Sequence, residues 1–137
     1  MMIYILDACS LIALLKREIG ADVVQDILDQ ASRGEVIIYM SLVNLLEVGY
    51  NFTREKTHTE MAGIWEAINK LPIIFIDTIG DAVFQEALRL KTRYRVSVGD
   101  VFGLATAIAL GGSFVTSDHH DLDRIDSAEP GLLFWFR

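Results

Sequence analysis

The chain is poor in the residues that staple or punctuate a small protein. It holds one cysteine, Cys9, two prolines, Pro72 and Pro130, and three histidines. One cysteine excludes an internal disulfide framework, and with so few histidines beside it a complete structural zinc set is hard to assemble. A reduced thiol is the expectation, and with it a cytoplasmic location. Basic side chains are scarce as well. Twelve Lys and Arg stand against 19 Asp and Glu, for a net charge of −7 and a pI near 4.8. That balance argues against affinity for nucleic acid through bulk charge alone. It leaves room for a site-specific enzyme, because acids that ligate a cation have their local sign inverted.

Long apolar runs are missing too. The longest uncharged stretch, Val101 to Ser117, is interrupted by glycine, serine and threonine and falls short of a membrane span. The first residues carry no positive leader, and Asp7 breaks what would be the apolar core of a signal peptide. No GxxxxGK[ST] or GxGxxG phosphate loop and no GxSxG elbow occurs. Asp118 to Asp123 lacks the glycine and terminal glutamate of a calcium loop, and position 9 is not the second aspartate of a phosphoaspartyl phosphatase. There is no linker, low-complexity tract or internal repeat. The expectation is one domain over residues 1–137, large enough to bury roughly two thirds of its extended-chain surface.

What the chain has is apolar residues, 52% of the total, with a mean hydropathy of +0.35. Ile3 to Leu6 reads as a strand buried on both faces, Val36 to Met40 as a second buried strand, Ile73 to Ile76 and Phe114 to Thr116 as a third and a fourth strand, and Leu132 to Phe136 as a late edge strand. Between them lie helical patterns. Ser10 to Lys16 is short and apolar, and Ile19 to Ala31 is amphipathic. A helix opened by Ser41 runs to about Arg54; Thr57 and Glu60 form a capping box ahead of the stripe Met61, Ile64, Trp65, Ile68 and Leu71. Thr78 with Asp81 opens the next helix, whose apolar face is Ile79, Ala82, Val83, Leu88 and Leu90. Ser97 with Asp100 opens another that ends at Gly111-Gly112. His119 to Gly131 reads as the one long segment poor in structure. Strands separated by helices make a doubly wound parallel α/β domain.

Four acids stand out on this frame. Asp7 and Asp118 each follow an apolar strand, at the end where open α/β sheets bind ligands. Glu47 sits in a helix between Leu46 and Val48, and Asp100 lies at a helix start. Each has a structural reading: Asp7 as a cap, Asp100 as the third residue of a helix begun by Ser97, Glu47 on a solvent edge. As a group they suit something else. Carboxylates brought together repel, and oxygen ligands of this kind take Mg²⁺ or Mn²⁺, two of which about 4 Å apart support phosphoryl-transfer chemistry.

The segments that carry the acids are Leu6-Asp7-Ala8-Cys9-Ser10, Glu47 in its helix, Ser97-Val98-Gly99-Asp100-Val101-Phe102-Gly103, and Thr116-Ser117-Asp118-His119-His120-Asp121-Leu122. In order and spacing they resemble the PIN domain, and in particular the stand-alone PIN ribonucleases that act as VapC-type toxins of toxin–antitoxin pairs. The resemblance implies a three-layer α/β/α sandwich with a mostly parallel sheet of about five strands in the order 3-2-1-4-5. It implies an Mg²⁺ or Mn²⁺ site at Asp7, Glu47, Asp100 and Asp118, and an endoribonuclease leaving 5′-phosphate and 3′-hydroxyl ends. A homodimer and a cognate antitoxin whose tail crosses the helices beside the site follow from it as well. The sequence departs from the family at Cys9, where Ser or Asn is common, and at Gly99, where Ala is frequent.

Around the acids, Ser10 and Asp121 are candidates to support the site. Arg89, Lys91, Arg93, Tyr94 and Arg95 form the one basic tract and, with His119 and His120, are candidates for contact with RNA. Their bland alternatives are a solvated helix end with its cations at the negative dipole, and surface-loop histidines. A noncatalytic binding or dimerisation module of the same fold, and a PIN nuclease of general RNA processing, are the competing functions.

Overall fold

The computed structural model describes residues 1–137. In chain order the elements are β1 (Met2–Leu6), α1 (Ala8–Lys16), α2 (Ala21–Ser32), β2 (Val36–Ser41), α3 (Leu42–Thr53), α4 (His58–Asn69), β3 (Ile74–Ile76), α5 (Asp81–Arg93), α6 (Val98–Leu110), β4 (Ser113–Thr116), α7 (His119–Ala128) and β5 (Leu133–Trp135). The sheet is parallel throughout, in the order β3-β2-β1-β4-β5.

Side-chain alternation along the central strand explains the layers. Tyr4 and Leu6 point into one core, with Leu11 of α1, Leu28 of α2, Phe52 of α3 and Ile68 of α4. Ile5 points the other way, among Leu90 of α5, Leu104 of α6 and Leu122 of α7. Both faces of β1 are therefore dry, as its unbroken apolar run demands. The chain winds outward from β1 to β3, then α5 and α6 carry it back across the opposite face to β4. That reversal lies between β1 and β4, and a crevice opens at their C-terminal ends.

Three local expectations are corrected. His119 to Gly131 is not poor in structure, since α7 occupies most of it. Asp118 caps that helix by accepting from the Asp121 amide at 3.3 Å, and Leu122 and Ile125 anchor it in the core. Two apolar residues three apart in a polar run leave too short a period to read. The helix expected from Thr78 begins only at Asp81, behind an extended Gly80 that gives no side-chain cap. Its apolar face is narrower than the pattern suggested. Ala87 and Leu90 are buried, whereas Leu88 is 54% exposed. Trp65 likewise covers the surface of α4 rather than filling the core, and is 36% exposed.

Candidate functional site

Asp7 leaves β1 at the crevice and does two things. Its carboxylate accepts the Ser10 amide at 2.9 Å, which caps α1, and it accepts the Cys9 thiol at 2.8 and 2.9 Å to its two oxygens. Ser10 adds a hydroxyl bond to the Asp7 carbonyl at 2.8 Å. The capping and the site readings of Asp7 thus describe one geometry. Burial pushes the Asp7 carboxyl up to about 6, against the hydrogen bonds that favour its charged form. Burial, with Asp7 beside it, pushes the Cys9 thiol up to about 12. Cys9 therefore stays protonated and donates, with Ser117 donating to its sulfur at 3.4 Å.

Asp118 follows β4, where the Thr116 hydroxyl accepts its amide at 3.1 Å. Asp100 stands in the first turn of α6, capped by Ser97, whose hydroxyl accepts the Asp100 amide at 3.2 Å. Burial pushes Asp100 up to about 7, and the charges of Asp7, Asp118 and Glu47 push the same way. Glu47 comes from α3 and forms the rim. Partial burial raises its carboxyl as well.

These acids share one cleft of about 250 Å³ that also touches Cys9, Ser97 and Ser117. Asp100, Asp118 and Asp121 each offer a carboxylate oxygen within 4.8 Å of the others. Asp121, expected only as support, is thus part of the tightest group, and Asp7 and Glu47 complete the cleft around it. The donor set fits a hard divalent cation: all oxygen, from several elements, with three carboxyls raised by burial and two of them, Asp100 and Asp7, also by the charge of their neighbours. A cation there relieves that repulsion.

Asn44 is not marked by any motif of the sequence, and Gly99 is marked there only as a departure from the family pattern. Buried Asn44 of α3 donates from Nδ2 to the Gly99 carbonyl at 3.0 Å and so ties α3 to the first turn of α6. Gly99 then makes room for Glu47, because a Cβ at Gly99 would overlap Glu47 Oε1. The legible signal was a polar Asn on the apolar side of VNLLEV, one turn before Glu47.

The basic tract does not arrive at the cleft as a unit. Arg89 pairs with Glu86 at 2.8 Å and Glu129 at 2.6 Å, in a depression beside Gly111 and Gly112 at the opposite end of β4. Tyr94 donates to the same Glu129 at 3.5 Å. Lys91 is bonded to the Val96 carbonyl, and Arg93 lies over the Tyr94 ring. Only Arg95 reaches the acidic end, in a groove shared with His119 and His120. His119 is engaged at both ring nitrogens, by Asp123 at 2.8 Å and the Arg137 carbonyl at 3.0 Å, and stacks on Trp135 at 3.8 Å between centroids. Those two acceptors raise its pKa.

Comparison with known proteins agrees with this fold. The model of the PIN domain matches residues 4–128. A chain in the structure of VapBC2 from Rickettsia felis, bound to a DNA fragment from their promoter, superposes with a TM-score of 0.75 at 21% identity, covering 98% of each chain. A toxin–antitoxin complex from Klebsiella pneumoniae gives 0.71 at 17% identity, again with 98% of each chain. VapBC-1 from nontypeable Haemophilus influenzae gives 0.70 at 19%, covering 98% of this chain and 96% of the other. No curated protein matches the sequence.

Proposed function

The chain belongs to the PIN domain family, and on that premise we propose that it is a metal-dependent endoribonuclease, the toxin of a type II toxin–antitoxin pair. The observation that carries the proposal is the meeting of Asp7, Glu47, Asp100, Asp118 and Asp121 in one cleft at the C-terminal ends of β1 and β4. A solvated acidic face would not bury Asp7 and Asp100 far enough to push both carboxyls toward neutrality.

Asp7, Asp100 and Asp118 would hold Mg²⁺ or Mn²⁺, with Asp121 and Glu47 beside them in the cleft to complete the donor set. The cation, when bound, lowers the pKa of a water and neutralises charge on the phosphoryl oxygens, so no histidine base is required. Glu47, on the open rim, orients the attacking water. Cys9 and Ser10 fix the Asp7 carboxylate, and Asn44 fixes the turn that carries Asp100. Cleavage leaves a 5′-phosphate and a 3′-hydroxyl.

The toxin reading draws on the folds it shares with chains of toxin–antitoxin complexes. A protein antitoxin, a homodimer and a cytoplasmic setting complete the proposal, with all of 1–137 forming one nuclease domain. No helix is long and apolar enough to cross a membrane. Purified protein incubated with a panel of structured RNAs should cut in Mn²⁺ and not in chelator, and end-group mapping should find 5′-phosphates. Cutting that survives chelation would sink the reading.

A further inference from the structure

Five of the twelve lysines and arginines are paired with an acid, namely Lys16, Arg33, Lys70, Arg89 and Arg137, and seven are not. Of the seven, Arg95 and Arg124 are the two that line the groove beside the acidic cleft. Neither guanidinium lies in an ion pair, yet the two segments are tied together by a bond from Arg124 Nη2 to the Arg95 carbonyl at 2.7 Å. Both line one groove of about 660 Å³, without a hydrophobic wall, alongside His119, His120, Asp121 and Asp123.

The two acids of that groove do not answer the arginines. Asp123 is paired with His119, and Asp121 turns one oxygen toward Asp100 and Asp118. Asp121 lines both the groove and the acidic cleft, so the two depressions meet at this residue. A pair of unanswered guanidiniums abutting a set of acids suits a ligand that is anionic along its length. A cation site alone would repel such a ligand at its mouth.

We propose that Arg95 and Arg124 form a subsite for the phosphodiester backbone flanking the bond that is cut, with exposed His120 at its edge. This rests on the nuclease reading and adds to it the side from which the strand is held. Guanidinium forks bind phosphate oxygens in pairs and carry no sequence preference of their own. His119, stacked on Trp135 and bonded at both nitrogens, is the wall of the subsite rather than a contact. Arg89, at the opposite end of β4, takes no part.

The test is binding of a short labelled single-stranded RNA, in Mg²⁺ and in an Asp100→Asn background that does not cut, across a salt series. Arg95→Gln and Arg124→Gln should each weaken binding about threefold to tenfold and flatten the slope of log affinity against log salt by about 0.7, one single-strand phosphate contact each. Arg89→Gln should leave both unchanged. DNA of the same sequence should show the same flattening, and a loss confined to RNA would contradict phosphate recognition. Should Arg124→Gln melt early, Arg95→Gln decides, because its guanidinium makes no bond within the chain. Unchanged affinity and slope in Arg95→Gln, with a wild type that binds and cuts RNA, would overturn the subsite alone. A wild type that neither binds nor cuts would overturn the nuclease reading with it.

Discussion

Gly99 and Glu47 occupy each other's space. The carboxylate of Glu47 lies where the Cβ of any other residue at position 99 would stand, 2.8 Å from that point at its Cδ. Because the obstructing group is the end of a flexible side chain, Gly99→Ala should move Glu47 and spare the fold. Alanine in place of glycine adds up to about 1 kcal/mol of helix propensity. The expected variant melts at or above the wild-type temperature and loses roughly tenfold or more in RNA cleavage. Equal activity would show that Glu47 works from another position.

Gly103, one turn further along α6, gives the opposite outcome. A Cβ there overlaps the ring of Phe114, a fully buried residue of β4 that cannot swing away. Gly103→Ala should cost about 1–3 kcal/mol by overpacking, measured as a lower urea midpoint. Two glycines of one helix are thus separated into a functional and a packing role.

Cys9 is a hydrogen-bond donor in the place where the family commonly has Ser or Asn. Cys9→Ser should keep cleavage near wild type. Cys9→Ala removes one donor from the Asp7 carboxylate and should lower activity roughly tenfold, with the acid limb of the pH profile moved upward. With the thiol pushed up to about 12, alkylation of native protein at pH 8 should be slow and should accelerate on unfolding. Rapid native labelling would contradict the assignment.

Asp7 and Asp100 make stability depend on pH in a defined direction. Their folded values, about 6 and about 7, lie above the ordinary 3.8. The folded state therefore binds more protons than the unfolded state between those limits. Metal-free protein is expected to lose on the order of 2 kcal/mol as pH rises from about 4 to about 8, after allowing for the partial exposure of Asp100. Added Mn²⁺ should restore it, and more at pH 8 than at pH 5, because the ion binds the charged carboxylates. Thermal melts with and without chelator check both signs.

Much of this architecture was legible because β1 has no polar residue between Ile3 and Leu6, and because Asp7 and Asp118 fall just past buried strands. The capping patterns at Ser41, Thr57 and Ser97 located three helices, and all three side chains cap as expected. α7 was not legible, since its burial rests on two residues in a polar run. Asp121 reads as solvated when placed in a loop, whereas in the first turn of a helix capped by Asp118 it lies beside Asp100. Asn44 and Gly99 act only through contact between α3 and α6, 55 residues apart in the chain, a distance that local pattern does not span.

The most direct test of the account is the rate of cleavage of one defined RNA as Mn²⁺ is titrated, for the wild type and for Asp100→Asn. A saturable metal dependence is expected in the wild type, and no cleavage by a variant that remains folded. Cleavage of equal rate by Asp100→Asn, or a wild-type rate indifferent to the metal, would contradict it.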